Sequence, residues 1–326
     1  MNQTDIQLEN SSGLGKLIMM GVFSLLLCMS ILMSVFTPYP IGLSSVLYGR
    51  LKASLVAFVA LIVCYTLVGS MFQDISIFIF FAFSIAIAFG LAEVVLREVN
   101  PISGIIGLGI LVTVFSSMVV FISMSSSDKT IKGLLISEFE KIQPLLEEQK
   151  KKMQASGEKG SFEVEALLSQ PELLAEKVLA EAPSYFFIGV FVMLWANLFL
   201  LLKSNRLVKK MNNCKYSETY LLNFKMPDQV IWVVIASLIL ALWGDQLGTW
   251  YPIVGMTLLK TVGVFYFFQG FGIYLTFLDF MKLTGFFRSF LVVITVLTAS
   301  QLLAFIGLAD MFVDFKKLMK RKQDQD

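Results

Sequence analysis

Apolar stretches of about 20 residues recur along this chain, the first being LIMMGVFSLLLCMSILMSVF over residues 17–36, which carries no charge. A run of about 20 apolar residues crosses the ~30 Å hydrocarbon core of a bilayer as a helix. Windows of about 19 residues place spans near 17–36, 52–70, 75–96, 102–124, 185–203, 229–244, 251–280 and 287–308. These segments are apolar all round, so they have no polar face to offer water. The pattern predicts an all-α fold: a polytopic transmembrane helical bundle of about eight spans, with a polar helical insert in its middle.

Between the first two spans, Pro38 and Pro40 stop one helix while the apolar residues up to Arg50 keep the chain near the membrane, so this connector is expected to be partly inserted. The polar insert, 125–184, separates an N-terminal membrane half, 1–124, from a C-terminal half, 185–326. In the insert, Ile131, Leu135, Phe139, Ile142 and Leu146 follow helical spacing with Pro144 as a kink, and Ser161 and Ser169 are placed to cap further short helices. Two basic segments compete for orientation. Lys316, Lys317, Lys320, Arg321 and Lys322 should be cytoplasmic, as should Lys203, Arg206, Lys209, Lys210, Lys215 and Lys225. Three intervening spans put them on opposite sides. The 251–280 segment is long enough that it should either tilt strongly or break near Lys260 and Gly263.

Composition agrees with a membrane chain: 56% of the residues are hydrophobic, 30 are Phe and only 15% are charged. A formal net charge of +2 implies no nucleic-acid partner, and the basic residues flank membrane segments rather than forming a stripe. No His is present, which removes Ser–His nucleophile pairs, HExxH zinc sites and His proton relays together. Cys28, Cys64 and Cys214 have neither disulfide nor metal-ligand spacing, so no metal or other cofactor is expected. The polar N-terminus is acidic and no small-residue cleavage site follows the first span, so a removable signal peptide is not expected.

The third span is the most patterned. Ala82, Ala86 and Gly90 recur every four residues, a seam on which helix backbones approach closely in lipid, and Glu93 and Arg97 continue that face as an i,i+4 pair. The pair reads either as a helix-end ion pair or as a ligand contact. Arg50 and Lys260 are cations at or near membrane depth, each either snorkelling to the interface or facing a pocket. Asn197, Gln269 and Gln301 are polar positions suited to interhelical hydrogen bonds. The glycines at 104, 107 and 109 serve close packing or border a cavity, and Trp195, Trp232, Trp243 and Trp250 read mainly as head-group anchors. Asp310 and Asp314, followed by the lysine run, describe a helix leaving the membrane onto a basic surface suited to anionic lipids.

Phe268-Gln269-Gly270 in an aromatic helix, with a final span ending in Gly307, Asp310, Asp314 and Lys316, resembles the YybS-like family of predicted bacterial membrane proteins. Phe312 and Lys316 stand where that family's closing motif tends to carry Gly and Arg. The resemblance implies a fold like the substrate-binding membrane subunits of energy-coupling-factor transporters and the MreD-like proteins, in a bacterial cytoplasmic membrane. The Pro38-Tyr39-Pro40 connector and Leu47 to Arg50 are similar to the segment that covers the ligand in such subunits.

The expected function is a non-enzymatic subunit that binds a small ligand or serves transport, with Arg50, Glu93, Arg97, Lys260 and Gln269 as polar lining. The alternative is an envelope scaffold that meets another membrane subunit or envelope protein through the Ala82, Ala86 and Gly90 seam and the central insert.

Overall fold

A computed structural model describes residues 3–30, 33–72, 75–125, 132–133, 135–137, 139, 171–207, 215–248 and 250–323. Every regular element among them is helical. In chain order these are α1 (Gln3–Met29), α2 (Pro38–Tyr48), α3 (Arg50–Leu67), α4 (Ile75–Leu96), α5 (Pro101–Ser125), α6 (Pro171–Leu207), α7 (Glu218–Leu222), α8 (Val230–Trp243), α9 (Trp250–Phe280), α10 (Gly285–Thr298), α11 (Ser300–Val313) and α12 (Phe315–Gln323). Most of the predicted insert, including Ile142, Pro144, Leu146, Ser161, Ser169 and all of 141–170, lies outside the described residues, as does Cys214.

Among the described residues, five helices are long and apolar enough to cross a membrane: Arg50–Ser70, Ile75–Leu96, Pro101–Val119, Glu172–Ser204 and Trp250–Phe280. The bent pair α10 and α11 makes a sixth if it counts as one span. This is fewer than the eight expected, for reasons that hydropathy does not register. The first segment stops as a helix at Met29, short of residue 36, because a 3-10 turn (Ser34–Phe36) and then Pro38 redirect the chain. The 229–244 segment is a 14-residue helix, about 21 Å long, too short for the ~30 Å core. The 287–308 segment is broken at Ala299, where its halves meet at 93°. Conversely, α9 runs unbroken past Lys260 and Gly263 for 31 residues. The residues from 171 belong to α6, one continuous helix that begins on Pro171 and carries Pro183 inside it.

Two compact units divide the chain: Met1–Val112, Gly189–Val230 and Val262–Asp326 form the first, Thr113–Ile188 and Ile231–Thr261 the second. In the second, Gly255 of α9 lies against Leu240 and Ala241 of α8, and Gly244 against Tyr251 and Pro252, so the two helices meet closely. The outward faces are apolar, with Leu51, Phe58, Leu111, Trp232 and Phe286 exposed, as lipid contact requires. Trp243 and Trp250 are exposed near helix ends, in keeping with an anchoring role. Trp195 is different: it is buried, stacked on Phe268 at 4.2 Å and edge-on to Phe224.

In the first unit, α2 is a short buried helix rather than a loop. Pro38 and Pro40 fix φ for a helical start, and neither brings an N–H. A helix begun at membrane depth normally leaves several N–H groups without acceptors. Here the Thr37 N–H bonds the Ser34 carbonyl at 3.0 Å, and of residues 38–40 Tyr39 alone brings an N–H. Gly42 lets α2 pass between its neighbours: a Cβ there would lie 3.3 Å from the Ala88 carbonyl of α4 and 3.3 Å from Leu201 of α6. Gly49, at φ +87°, then turns the chain into α3.

One contact in this unit bears on the orientation conflict. The Lys316 ammonium donates to the Leu222 carbonyl at 2.6 Å, which sets the start of the C-terminal basic run beside the stretch that carries Lys215 and Lys225. With α10 and α11 bent by 93°, the pair need not add a crossing between them. In a chain with Cys28, Cys64 and Cys214 replaced by Ser, single cysteines at Lys215 and Lys317 will react with a membrane-impermeant maleimide from the same side. By the charge bias that side is the cytoplasmic one; labelling from opposite sides contradicts this arrangement.

Candidate functional site

Among the described residues of the first unit, three groups of polar side chains bear on function. At the first, the carboxylate of Glu93, near the end of α4, is shared by two arginines. Arg50, the opening residue of α3, holds it in a fork through Nε at 2.7 Å and Nη2 at 2.9 Å, and Arg97 adds Nε at 2.7 Å. Arg50 reaches this position because Gly49 ends α2 and starts α3 beside the end of α4. The cluster is open, with the Arg50 side chain 57% exposed, Arg97 69% and Glu93 33%. Next to it, Asn100 caps α5 through the Ile102 N–H at 3.0 Å and donates to the Tyr220 hydroxyl of α7 at 2.8 Å.

The second place is closed. Gln269 of α9 donates through Nε2 to Asp310 Oδ2 at 2.9 Å and accepts the Met226 N–H at 2.9 Å. Asp310 Oδ1 accepts the Phe315 N–H at 2.8 Å, which fixes the start of α12 after Asp314 turns the chain at φ +48°. Both side chains are almost fully buried. The helices come close enough for this because of paired glycines: a Cβ on Gly270 would coincide with the Leu303 carbonyl, and one on Gly307 with that of Tyr266. Lys316 then closes the loop onto Leu222. Asp314 faces outward, and its hydrogen bond with Lys317, at 2.7 Å, holds its carboxyl below the usual carboxylate range.

The third is a layer at the break between α1 and α2. Ser24 donates to the Thr37 carbonyl at 2.7 Å, and the Asn197 amide donates to the carbonyls of Val35 at 2.7 Å and Met193 at 2.6 Å. Ser84 of α4 is buried as completely as these.

In the second unit, Lys260 is paired rather than isolated, 3.6 Å from Glu181 and 5.2 Å from the Tyr185 ring centre, while Ser184 and Thr257 are in hydrogen-bond contact at 3.2 Å. Thus Arg50, Glu93 and Arg97 form one cluster, Gln269 belongs to the Asp310 node, and Lys260 has its own acid. Of the seam residues, Gly90 packs inward on Leu108 and Ala86 is exposed. Gly104 and Gly109 receive Val94 and Phe191, and Gln301 is exposed. The partners at these places, among them Arg50 to Glu93 across 43 positions and Met226 to Gln269, leave no local signal in the sequence. Among the described residues no group of three His, Cys, Asp or Glu side chains is placed to hold a metal ion.

Residues 16–311 match the family model described as predicted membrane protein DUF2232, and the chain belongs to that family. No curated protein and no solved structure matches it.

Asp310→Ala strands the Gln269 amide and the Phe315 N–H in the interior, at about 1–3 kcal/mol. Its thermal unfolding midpoint in detergent is expected below that of wild type, with Asp310→Asn in between. Gly270→Val, which meets backbone rather than a movable side chain, is expected to be the more damaging.

Proposed function

We propose that this DUF2232 chain is a non-enzymatic subunit of the bacterial cytoplasmic membrane that binds a small anionic molecule at the Arg50, Glu93 and Arg97 cluster. The carrying observation is one carboxylate shared by two guanidinium groups, all within 2.9 Å. Two arginines present about ten N–H donors in planar forks, of which Glu93 occupies three, and the cluster keeps a formal surplus of one positive charge. Donors left free on planar forks suit carboxylate or phosphate recognition, and the α3 N-terminus adds backbone N–H groups beside Arg50. Glu93 orients both arginines in advance, which lowers the ordering cost of binding.

The likeness to YybS-like proteins and to transporter substrate-binding subunits supports this reading, since a ligand-contacting segment in such subunits follows the first helix, where Pro38 to Arg50 lies. Gln269 and Lys260 are assigned to structural roles in it, because each already has a partner. A second reading, attachment to another membrane subunit, is favoured by one observation: Ala86, in the middle of the small-residue seam of α4, is exposed.

The test is thermal stability of the purified protein against a panel of phosphate, di- and tricarboxylate and phosphorylated metabolites. At least one should raise the midpoint saturably. Arg50→Ala or Arg97→Ala should weaken the response by roughly 10- to 100-fold, the equivalent of one lost charge-assisted hydrogen bond. Glu93→Gln should keep or strengthen it. No response to any anion, or one that survives in the Arg50→Ala, Arg97→Ala double variant, overturns the proposal. Ala86→Leu should leave the response intact and reduce only association with a second subunit.

A further inference from the structure

We infer that α12, together with Lys225 before α8, forms a binding site for an anionic phospholipid, the lysines taking the head-group phosphate and the apolar residues beside them the acyl chains. It is a separate site from the arginine cluster, and the Asp310 node frames it. Lys316 donates to the Leu222 carbonyl at 2.6 Å and to Asn223 Oδ1 at 3.4 Å, and Lys225 follows two positions after Asn223. Lys317 pairs with Asp314 at 2.7 Å, and the Asp314 carboxyl, held low first by that hydrogen bond, also feels the charge of Lys225. These contacts join residues 222–225 to residues 314–317, which puts three lysines at one junction.

The junction is positive and open. Lys316 serves as its anchor, bonded to residues 222 and 223, while Lys225 and Lys317 are exposed. An ammonium carries three donors, and Asp314 takes one of those on Lys317. Set against Asp314, and against Asp228 three positions after Lys225, the three lysines still leave a formal surplus of one positive charge. Lys320, Arg321 and Lys322 then continue α12. Basic clusters of this size on an amphipathic helix beside a membrane helix recognise anionic lipids.

The apolar residues select a lipid over a soluble anion. Phe315, Leu318 and Met319 follow i, i+3, i+4 spacing on α12, while the positions of Lys316, Lys317, Lys320 and Arg321 fall elsewhere around the helix. Leu318 is half-exposed next to Lys317, and Phe312 and Val313, which close α11 just before the turn at Asp314, are exposed as well. Acyl chains can lie on these residues while the phosphate meets the lysines. A nine-residue helix buries too little apolar surface to hold a membrane by itself, so charge supplies the second signal. The helix is also set in place beforehand, since Asp310 takes the Phe315 N–H, and the ordering cost of binding falls accordingly.

Lipid binding to the full chain in a neutral detergent, followed by native mass spectrometry and by thermal unfolding, tests this. Phosphatidylglycerol should be retained and should raise the unfolding midpoint saturably. Phosphatidylcholine, which has no net charge, should do neither, and an equal concentration of inorganic phosphate should not displace phosphatidylglycerol. Lys225→Gln with Lys317→Gln, both at exposed positions, should cut the apparent phosphatidylglycerol affinity about 30-fold. Asp314→Asn removes the competing acid, keeps a residue that tolerates positive φ, and should raise the affinity. Equal retention of the two lipids, displacement by phosphate as at a free-anion site, or an affinity unchanged in the lysine double variant overturns the inference. So does loss of binding in Arg50→Ala, Arg97→Ala with the lysines intact, which places the lipid at the other cluster.

Discussion

The carboxylate of Asp310 lies in the interior of a chain whose outer solvent is lipid, and the C-terminal part of the molecule is organised around satisfying it. An ionised carboxylate without partners there would cost several kcal/mol, so its two oxygens are answered from within the chain, by Gln269 and by the Phe315 N–H. That requirement fixes distances that nothing else would. Gln269 reaches Asp310 only if α9 and α11 cross almost backbone to backbone, which Gly270 and Gly307 allow. With α11 held, α12 must begin at Phe315, and Lys316 falls against Leu222. One buried acid thereby brings Lys316 to Leu222, between the basic residues Lys215 and Lys225.

The same accounting explains the other end of the first unit. Starting a helix at membrane depth exposes N–H groups to a medium that cannot bond them, and Thr37-Pro38-Tyr39-Pro40 reduces their number with two prolines while the Ser34 carbonyl takes the Thr37 N–H. The helix so begun carries the chain to Gly49, and the turn there delivers Arg50 to Glu93. The arginine cluster is therefore positioned by the buried α2 beneath it. An exposed ion pair of this kind adds little stability, which leaves its geometry available for binding.

Much of this architecture was legible in the residues, and the exceptions have physical causes. Hydropathy measures transfer from water to lipid, so the membrane character and the helical class followed directly. It does not measure helix continuity. The segment over 17–36 is apolar throughout yet ends as a helix at Met29, because the turn and prolines beyond redirect it, and 287–308 bends at Ala299 with no proline to announce it. Of the two alternatives for 251–280, a strong tilt or a break near Lys260 and Gly263, the unbroken helix excludes the break, since a glycine inside a membrane helix costs little when its hydrogen bonds stay intact. The importance of Gln269, Gly307 and Asp310 was visible as a motif, but their purpose required the crossing of α9 and α11. The Arg50 to Glu93 contact joins helices 43 positions apart and could be read only from the fold.

Cross-linking in native membranes tests the organising role of Asp310 most directly. In a background free of other cysteines, Leu222→Cys and Lys316→Cys together should be joined within one chain by a short bifunctional maleimide, and adding Asp310→Ala should sharply reduce the yield. If each cysteine reacts with a maleimide but the pair never joins, or if the yield is indifferent to Asp310, the buried carboxylate is not what holds this end of the molecule.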